Sequence, residues 1–444
     1  MTSNFIAQSF GKSMNHTDIP GGLYQEYNVK KGLRNDDGTG VRIGLTKVAD
    51  VIGYTDDDGE LTGIPGKLYC RGYDLEDLVN NKAKSHSGYE ELCFLLLFGF
   101  LPKQTELAEF TRVLKKNHSL PGEFLEMNFL RMPSKDLMNL LQCAVLSLYN
   151  YDPDPDNTDP YHTLVKGINL IAKIPLIISY GYRSQMHYFD KKSLVIHYAR
   201  EDYSIAENIL YMIRDDGKFT DEEAAVLDTL LMLHADHGGG NNSTFANVVV
   251  SSTGTDLYSA MAASIGSLKG PRHGGANIRC TEMLDAVAKE IGYSTDEEQI
   301  DGIIKKILNK DFYDHSGLLY GLGHAVYTVS DPRAELLKTH CKLLAEKKGK
   351  TKQFEFIRLF EDRAKQALYC RNGKTVSNNV DLYSGFCYQM LGIPAGLYTP
   401  LFACSRMVGW LAHNIENKLY DGKIMRPASK YVGELNTYKT MEER

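Results

Sequence analysis

Helical periodicity is the feature that most constrains the fold of this 444-residue chain. Apolar residues recur at intervals of three and four along many segments, which is typical of helices with one buried face. These segments span residues 90–101, 105–116, 134–149, 221–233, 256–268, 278–289, 331–346, 352–370 and 396–418. Alternating strand patterns are scarce, and the two candidates, residues 42–45 and 67–71, are short. The sequence therefore predicts an all-α fold.

Three of the predicted helices start at a residue that can cap a helix. Ser134, Thr220 and Asp331 each stand at the beginning of a helical pattern, and a side-chain oxygen there can accept a hydrogen bond from a free N–H of the first turn. Pro332 suits the first helical position, because the N–H that it lacks would have no partner there. These residues predict three helix starts.

Composition excludes several classes of protein. With 43% hydrophobic residues, 24% charged residues and a net charge of −6, the chain has an ordinary globular composition, and its length favours two or three domains. The basic residues are dispersed, which argues against nucleic-acid binding. The longest apolar run, residues 92–101, is too short to span a membrane. Residues 1–20 match neither a secretory signal nor an organelle presequence, so we expect a cytoplasmic protein.

The eight cysteines are scattered along the chain. None belongs to a Cys-x-x-Cys pair, and none has a histidine nearby at the spacing of a zinc site. In a cytosolic protein such cysteines are ordinarily buried and reduced. The sequence predicts eight buried, reduced thiols.

The segment His234-Ala-Asp-His-Gly-Gly-Gly-Asn241 follows a predicted helix. Its glycines allow another group to approach the backbone closely, so His237 could contact a substrate. Two alternatives remain open at this point: a structural role at the helix end, and a metal site formed by His234, Asp236 and His237. The segment lacks the His-x-x-x-His spacing that zinc hydrolases place on one helix face.

His273 and His324 also lie in segments that contain glycine. His273 stands in Gly270-Pro-Arg-His-Gly-Gly-Ala-Asn277 ahead of a predicted helix, whose dipole favours the neutral imidazole. A neutral imidazole can donate a hydrogen bond to a developing enolate; the alternative is a turn histidine that caps the helix. His324 stands in Gly321-Leu-Gly-His-Ala-Val326, which lacks the third glycine of a dinucleotide site.

One aspartate and three arginines complete the set. Asp381 ends Asn379-Val-Asp381 just before a helical segment, so it is either a helix N-cap or, if buried beside apolar surface, a base with a raised pKa. Arg333, near the start of a predicted helix, could bind a carboxylate with two parallel hydrogen bonds or lie solvated on the helix surface. Arg406 and Arg426 add two cations. Together these groups suit proton removal next to a carbonyl and binding of a small polyanion.

The motifs resemble those of the citrate synthase family. Gly-Pro-x-His-Gly matches residues 270–274, Gly-x-Gly-His-Ala-Val matches 321–326, Asp-Pro-Arg matches 331–333, and Asn-Val-Asp with a following Ser-Gly matches 379–385. The resemblance extends from residues 66–74 to residues 426–433. It implies the Claisen condensation of acetyl-CoA with oxaloacetate and hydrolysis of citryl-CoA to citrate and CoA, an acyltransferase reaction of the tricarboxylic acid cycle.

The resemblance also implies a role for each site residue. Asp381 would take a proton from the acetyl methyl group, His273 would stabilise the enol or enolate, and His324 would polarise the ketone of oxaloacetate. The oxaloacetate carboxylates would bind to His237, Arg333, Arg406 and Arg426, the last reaching across from a second subunit. No metal and no permanently bound cofactor is implied, and acetyl-CoA is a cosubstrate.

The contacts to coenzyme A are less defined. The resemblance implies Leu319, Tyr320, Gly321 and Gly323. Many relatives carry Lys or Arg four residues after the second catalytic histidine, where it helps to bind a CoA phosphate, whereas this chain has Thr328. Arg371 and Lys374 are candidates for that contact. Asn378, where many bacterial relatives have proline, is a lesser difference.

The implied architecture is a homodimer, or a multiple of it, of two-domain subunits. A large helical domain would comprise residues 1–275 and 386–444, a small helical domain residues 276–385, and the active-site cleft would lie between them. The nearest alternative function is 2-methylcitrate synthase, which would use propionyl-CoA; an apolar pocket distinguishes one methylene by only about 1–3 kcal/mol. The sequence is also compatible with a metal-dependent hydrolase centred on His234, Asp236 and His237, and with a helical scaffold that has lost the activity.

Overall fold

A computed structural model describes residues 2–57, 60–82, 86–420 and 422–443 of the chain. The chain divides into two compact units: Met1–Gly44 with Met425–Arg444 form the first, and Leu45–Ile424 form the second. The domain boundaries that the resemblance implies, at residues 275 and 385, both fall inside the second unit. That division stays a prediction.

Helices dominate the described residues, which confirms the predicted fold class. The first unit contains α1 (Thr2–Thr17) and α2 (Gly22–Glu26). The second unit contains α3 (Leu75–Asn80), α4 (Gly88–Phe98), α5 (Gln104–Lys116), α6 (Leu137–Leu148), α7 (Pro160–Tyr188), α8 (Ile205–Ile213), α9 (Asp221–His234), α10 (Asn242–Ser251), α11 (Leu257–Lys269), α12 (Ala276–Ile291), α13 (Glu297–Leu308), α14 (Pro332–Lys347), α15 (Thr351–Asn372), α16 (Asp381–Met390) and α17 (Tyr398–Tyr420). Short 3₁₀ turns lie at Lys31–Leu33, Tyr149–Tyr151, Ala395–Leu397 and Met441–Glu443, and a π-helical segment lies at Glu126–Leu130.

Two of the three predicted helix caps are present. The Thr220 side chain accepts a hydrogen bond from the first turn of α9, and Asp331 does the same for α14. Ser134 is the wrong residue for α6: Asp136 caps this helix by accepting from the Asn139 N–H. Each predicted helical segment overlaps a helix, because an apolar stripe at helical spacing has to be buried against the core.

The helices α7 and α17 form the centre of the second unit. The α17 helix packs against α4, α7, α9, α10 and α11, and its Trp410 is completely buried. The α7 helix is the one described helix that is long and apolar enough to cross a membrane, but 78% of its most apolar stretch is buried inside the protein. It is therefore a core helix of this fold, which explains why this stretch is so apolar.

A β-hairpin precedes the helical core. Strands β1 (Ala49–Asp57) and β2 (Glu60–Cys70) pair antiparallel, with Ala49 opposite Cys70 and a bulge between Ile52 and Tyr54, and β3 (Tyr73–Asp74) extends β2. The candidate at residues 67–71 overlaps β2. The candidate at residues 42–45 is wrong, because the β-branched and aromatic residues of 51–55 provide the strand that pairs with β2.

The hairpin touches the chain just after His324. A Cβ on Gly53 would clash with the carbonyl oxygen of Val326, so the two backbones can only approach this closely at a glycine. The Thr328 hydroxyl donates to the Gly53 carbonyl at 2.6 Å, and the Gly66 N–H donates to the Ser330 carbonyl at 3.0 Å. These contacts fix the segment that follows His324.

One pair of cysteines departs from the predicted reduced state. Cys341 of α14 and Cys387 of α16 form a disulfide with a Cα–Cα distance of 5.9 Å. The other six cysteines are free, but two of them, Cys143 and Cys370, are exposed rather than buried. The two cysteines are 46 residues apart in sequence and meet because α14 and α16 pack together. No local motif in the sequence indicates that these two cysteines lie next to each other.

Candidate active site

His273 lies in the turn between α11 and α12. The Gly274 N–H donates to the Leu268 carbonyl at 2.9 Å, and the Thr399 hydroxyl donates to the Gly274 carbonyl at 3.1 Å, so this turn is held at both sides. The His273 Nε2 lies 3.0 Å from the Ser243 Oγ. This contact orients the imidazole.

The Ser243 hydroxyl has two possible acceptors for its one proton, Asn241 and His273. The Ser243 Oγ accepts from the Trp410 Nε1–H at 3.1 Å and lies 2.8 Å from the Asn241 Oδ1. Its single proton can be donated either to Asn241 or to the His273 Nε2. When His273 receives it, the neutral imidazole carries its own proton on Nδ1 and can donate from there.

The surroundings of His273 favour the neutral imidazole. Burial and the positive charge of Arg406 lower the pKa of His273 to about 4. Burial disfavours the charged form, and a nearby cation disfavours it further. These two causes add to the helix dipole that the sequence suggested.

The loop that carries His324 is tied to the segment before α16. The Asn379 N–H donates to the Gly321 carbonyl at 2.9 Å, and the Gly323 N–H donates to the Ser377 carbonyl at 2.7 Å. Gly321 has a φ of +86°, and a Cβ there would lie 2.7 Å from the Cys280 sulfur, so only glycine suits this position. The loop of His324 is therefore held against the segment that leads to Asp381.

Two backbone groups fix the protonation of His324. The N–H groups of Val326 and Tyr327 both donate to its Nδ1 at 3.0 Å. A nitrogen that accepts hydrogen bonds carries no proton, so the proton of the neutral ring is on Nε2. The ring stacks on Tyr327 with 4.5 Å between centroids. The Nε2–H of His324 is thus the donor that this loop presents.

His237 is buried beside His324. Their ring centroids are 5.0 Å apart, and the His237 Nε2 has no hydrogen-bond partner among the described residues. Burial, and after it the charge of Arg333, lowers the pKa of His237 well below its ordinary value. A buried imidazole with an unused nitrogen is suited to contact a ligand.

Arg406 is a buried cation with free hydrogen-bond donors. Its side chain on α17 has 0% exposure; the Nε donates to the His234 carbonyl at 2.6 Å, while Nη1 and Nη2 have no partner within the part of the chain that the structure describes. Burial lowers the pKa of Arg406 to about 9, against the opposing charge of Asp236. Burial of a guanidinium whose terminal nitrogens lack partners costs free energy. The site is therefore suited to bind an anion that the described residues do not supply.

Arg333 is buried as well, but it has a protein partner. Its Nε and Nη2 donate to the two carboxylate oxygens of Asp331 at 3.0 and 2.7 Å. Although burial lowers the pKa of Arg333, the Asp331 carboxylate prevails and raises it overall. The alternative of a solvated surface arginine is wrong, because the first turn of α14 is buried.

Asp381 is the first residue of α16. The helix has no side-chain cap, and Asp381 itself donates its backbone N–H to the Asn379 Oδ1 at 3.1 Å, so the N-cap alternative is wrong. Burial raises the pKa of Asp381 to about 7, with Arg333 opposing and Asp331 adding to the rise. The carboxyl group can therefore exchange a proton near neutral pH.

The structure brings six of the predicted residues into one region of the second unit. Electrostatic interactions connect His237 with His273, His324, Arg333 and Arg406, and Arg333 with Asp381. Arg426 belongs to the first unit, where its side chain is exposed, and its role as a ligand from a second subunit stays a prediction. Of the candidate CoA contacts, Leu319 is buried, whereas Arg371 and Lys374 are exposed.

The metal-site alternative finds no support in the geometry. The His234 Nδ1 donates to the Leu230 carbonyl at 2.8 Å, and Asp236 accepts from the Gly238 N–H and lies 3.3 Å from the His413 Nε2. His234 and Asp236 thus have partners other than His237. Within the residues described, no group of three or more His, Cys, Asp or Glu side chains could hold a metal ion.

Three residues of the site are not evident from the sequence. Ser243 binds His273, Asp331 binds Arg333, and the Phe402 ring lies 4.7 Å below the Arg406 guanidinium. The sequence identifies Asp331 only as a helix cap. The Asn241-Asn-Ser243 segment that follows the glycines is the one available signal for Ser243.

Comparison with known proteins decides the family. The family described as "Citrate synthase, C-terminal domain" matches residues 38–428 of the chain. The chain belongs to the citrate synthase family. A citrate synthase from Haloferax volcanii is 34% identical to it over 91% of this chain and 96% of its own. The 2-methylcitrate synthase of Shewanella oneidensis, a family relative, is 31% identical over 84% of this chain and 90% of its own.

Solved structures of citrate synthases have the same fold. The citrate synthase of Thermoplasma acidophilum, solved as a ternary complex with carboxymethyl coenzyme A and oxaloacetate, superposes with a TM-score of 0.77. It is 27% identical in sequence, and the match covers 94% of this chain and 99% of that one. The match spans nearly all of both chains, so this chain has the citrate synthase fold.

Proposed function

We propose that this chain is a citrate synthase that condenses acetyl-CoA with oxaloacetate and hydrolyses citryl-CoA to citrate and CoA. The observation that carries the proposal is the buried guanidinium of Arg406, whose two terminal nitrogens lack partners in the described residues. It interacts with His237 and His273, two imidazoles that favour the neutral form, and Arg333 in the same region interacts with the Asp381 carboxyl group, whose pKa is raised. The class of enzyme is an acyltransferase that converts the acyl group to an alkyl group.

Oxaloacetate is the proposed occupant of the cationic region. Its carboxylates would receive hydrogen bonds from Arg406, Arg333 and His237, with Arg426 of a second subunit as a further ligand. A guanidinium fixes both the position and the orientation of a carboxylate, which a lysine does not. The Nε2–H of His324 would polarise the ketone and then supply the proton for the new hydroxyl group.

Asp381 is the proposed base for the acetyl methyl group. The α-carbon of a thioester is a very weak acid, so proton removal needs a donor aimed at the enolate oxygen as it forms. The Nδ1 of His273 would be that donor, in the tautomer for which the Ser243 hydroxyl donates to Nε2 rather than to the Asn241 Oδ1. In this scheme the negative charge that develops during the reaction is stabilised by hydrogen bonds from two neutral imidazoles, His273 and His324.

Coenzyme A would bind along the loop before His324. Its contacts would come from Leu319, Tyr320, Gly321 and Gly323, and its phosphates would bind to Arg371 or Lys374. The Arg371 Nη1 donates to the Leu308 carbonyl at 3.1 Å, which leaves further N–H groups for a phosphate. CoA is a cosubstrate in this proposal, and no permanently bound cofactor is required.

A homodimer, or a multiple of it, is the proposed assembly. The first unit exposes large apolar side chains at Phe5, Phe10, Leu435 and Tyr438, and exposed apolar residues in such number are typical of protein interfaces. The proposed subunit keeps a large domain of residues 1–275 and 386–444 and a small domain of residues 276–385. Closure of the small domain over oxaloacetate would exclude water before the enolate forms. We place the enzyme in the cytoplasm.

The proposed substrate is tested by comparing two thioesters. Thiol release is measured with acetyl-CoA and with propionyl-CoA, each with and without oxaloacetate. We expect release to require oxaloacetate and kcat/KM for acetyl-CoA to be higher, by a margin of about 10-fold or more, the scale of discrimination that one methylene provides. A higher kcat/KM for propionyl-CoA would assign the chain to the 2-methylcitrate synthases instead.

The base assignment predicts a pH dependence. Asp381 acts as a base only when its carboxyl group is deprotonated, and its pKa is raised to about 7. We therefore expect kcat to be maximal above this pH and to fall as the pH drops through about 7, with a limiting slope of about one decade for each pH unit. The measurement is kcat at saturating substrates across this range. A kcat that stays constant down to the ordinary pKa of an aspartate would contradict the assignment.

A further inference from the structure

Asn378 is a completely buried amide in the segment between α15 and α16. Its Nδ2 donates to the Glu335 Oε1 at 2.7 Å and to the Glu361 Oε1 at 2.8 Å. Its Oδ1 accepts from the Asp331 N–H at 3.3 Å. Both amide hydrogens and the amide oxygen are thus engaged, and the side chain has one possible orientation.

The buried partner of Asn378 is itself fixed. Glu361 of α15 is 1% exposed and accepts from the Lys338 Nζ at 3.0 Å and from the Lys365 Nζ at 2.6 Å. It also accepts from the hydroxyl group of Tyr383, which lies in the first turn of α16. The Glu361 carboxylate therefore connects α14, α15 and α16, and Asn378 adds the segment before α16 to this connection.

Asn378 also stands between two parts of the proposed site. Its neighbours Ser377 and Asn379 make the backbone hydrogen bonds that hold the loop of His324, and Asp381 follows three residues later. Through its oxygen it contacts the backbone of Asp331, the residue that binds Arg333. One amide thus contacts, directly or through a neighbour, the segments that carry Asp381, His324 and Arg333.

We propose that Asn378 is a positioning residue, which holds the segment that ends at Asp381 against the first turn of α14 and so fixes the distance between the base and Arg333. It touches no substrate and acts only through these segments. The inference rests on the proposed citrate synthase activity. Displacement of a reacting group by about 1 Å can reduce the rate as much as 100-fold, so the loss of one such amide is large enough to measure.

The test compares Asn378→Ala with the wild-type enzyme and with Asn372→Ala, which removes an exposed amide at the end of α15. For Asn378→Ala we expect kcat per folded molecule to fall about 10- to 100-fold, while the KM for acetyl-CoA stays within about threefold, because the amide is not a CoA contact. We expect the Asn372→Ala control to retain wild-type kcat. The folded fraction is measured by circular dichroism, so that loss of protein is not counted as loss of turnover.

A second variant removes the exposed partner of Asn378, and its folded fraction is measured in the same way. Glu335 is exposed, and Glu335→Ala should lower kcat by a smaller factor of about two to five, with little further effect in the Asn378→Ala background. If Asn378→Ala does not fold, the Glu335→Ala variant alone tests the proposal, and a wild-type kcat in that variant overturns it.

If the wild-type enzyme makes citrate, two results would overturn the inference. One is a wild-type kcat per folded molecule in Asn378→Ala. The other is a double variant in which the effects of Asn378→Ala and Glu335→Ala on kcat simply add. A wild-type enzyme that makes no citrate would instead overturn the proposed function, and the inference with it.

Discussion

Replacement of Asp381 by asparagine is expected to lower kcat about 1,000-fold, within the range that general-base catalysis contributes. Asparagine has nearly the shape of aspartate but cannot accept a proton from the acetyl methyl group. The KM for oxaloacetate should stay close to the wild-type value, because Arg406 and His237 are unchanged. The measurement is steady-state kinetics of thiol release at saturating acetyl-CoA.

Stability provides the control for this variant. Because burial raises the pKa of Asp381 from its ordinary value of 3.8 to about 7, the unfolded chain loses this proton at lower pH than the folded chain. The carboxyl group therefore lowers stability increasingly as the pH rises above the unfolded value, and the full cost is present above the folded value. At pH 8 we expect Asp381→Asn to melt at or above the wild-type temperature. Near-normal turnover in this variant would contradict the assignment of the base.

Replacement of Arg406 by methionine is expected to raise the KM for oxaloacetate about 100-fold or more, since loss of one buried charged partner typically costs 2–5 kcal/mol. Methionine fills much of the same volume without the charge, and removing a buried cation whose two terminal nitrogens lack partners in the described residues need not destabilise the fold. Arg406→Lys should give an intermediate KM, because an ammonium group cannot form two parallel hydrogen bonds to a carboxylate. The KM for acetyl-CoA should change much less.

The matched control for Arg406 is Arg358→Met. Arg358 lies on α15 and forms ion pairs with Glu355 and Asp362 at the surface. Its replacement should leave both KM values unchanged, since exposed ion pairs contribute little. A KM for oxaloacetate within about threefold of wild type in Arg406→Met would mean that this guanidinium does not bind the substrate.

The helical fold could be predicted because its signal is local. An apolar stripe such as that of residues 105–116 recurs within a few turns, and Thr220 and Asp331 cap their helices through contacts within three residues. The first strand could not be placed correctly, since a strand is defined by its pairing with a distant segment. The bond between Cys341 and Cys387 escapes prediction for the same reason.

For the site as well, local motifs could be predicted from the sequence, whereas contacts between distant segments could not. His273, His324 and Asp381 stand in motifs with glycine or asparagine, so the sequence alone identifies them. Their protonation state cannot be read there: the neutral tautomer of His324 follows from two backbone N–H groups. The pairing of Asp331 with Arg333 likewise needs the structure, because a helix cap and an ion-pair partner look the same in sequence.

The most direct test of the proposed chemistry follows the carbon that would be deprotonated. Wild-type enzyme and Asp381→Asn are incubated with oxaloacetate and acetyl-CoA labelled with ¹³C at the methyl carbon, and the products are followed by NMR. We expect the wild-type enzyme to place the label in a methylene group of citrate, one citrate for each CoA released, and Asp381→Asn to form almost none in the same time. Release of CoA with the label left in acetate, or equal citrate formation by both proteins, would contradict the account.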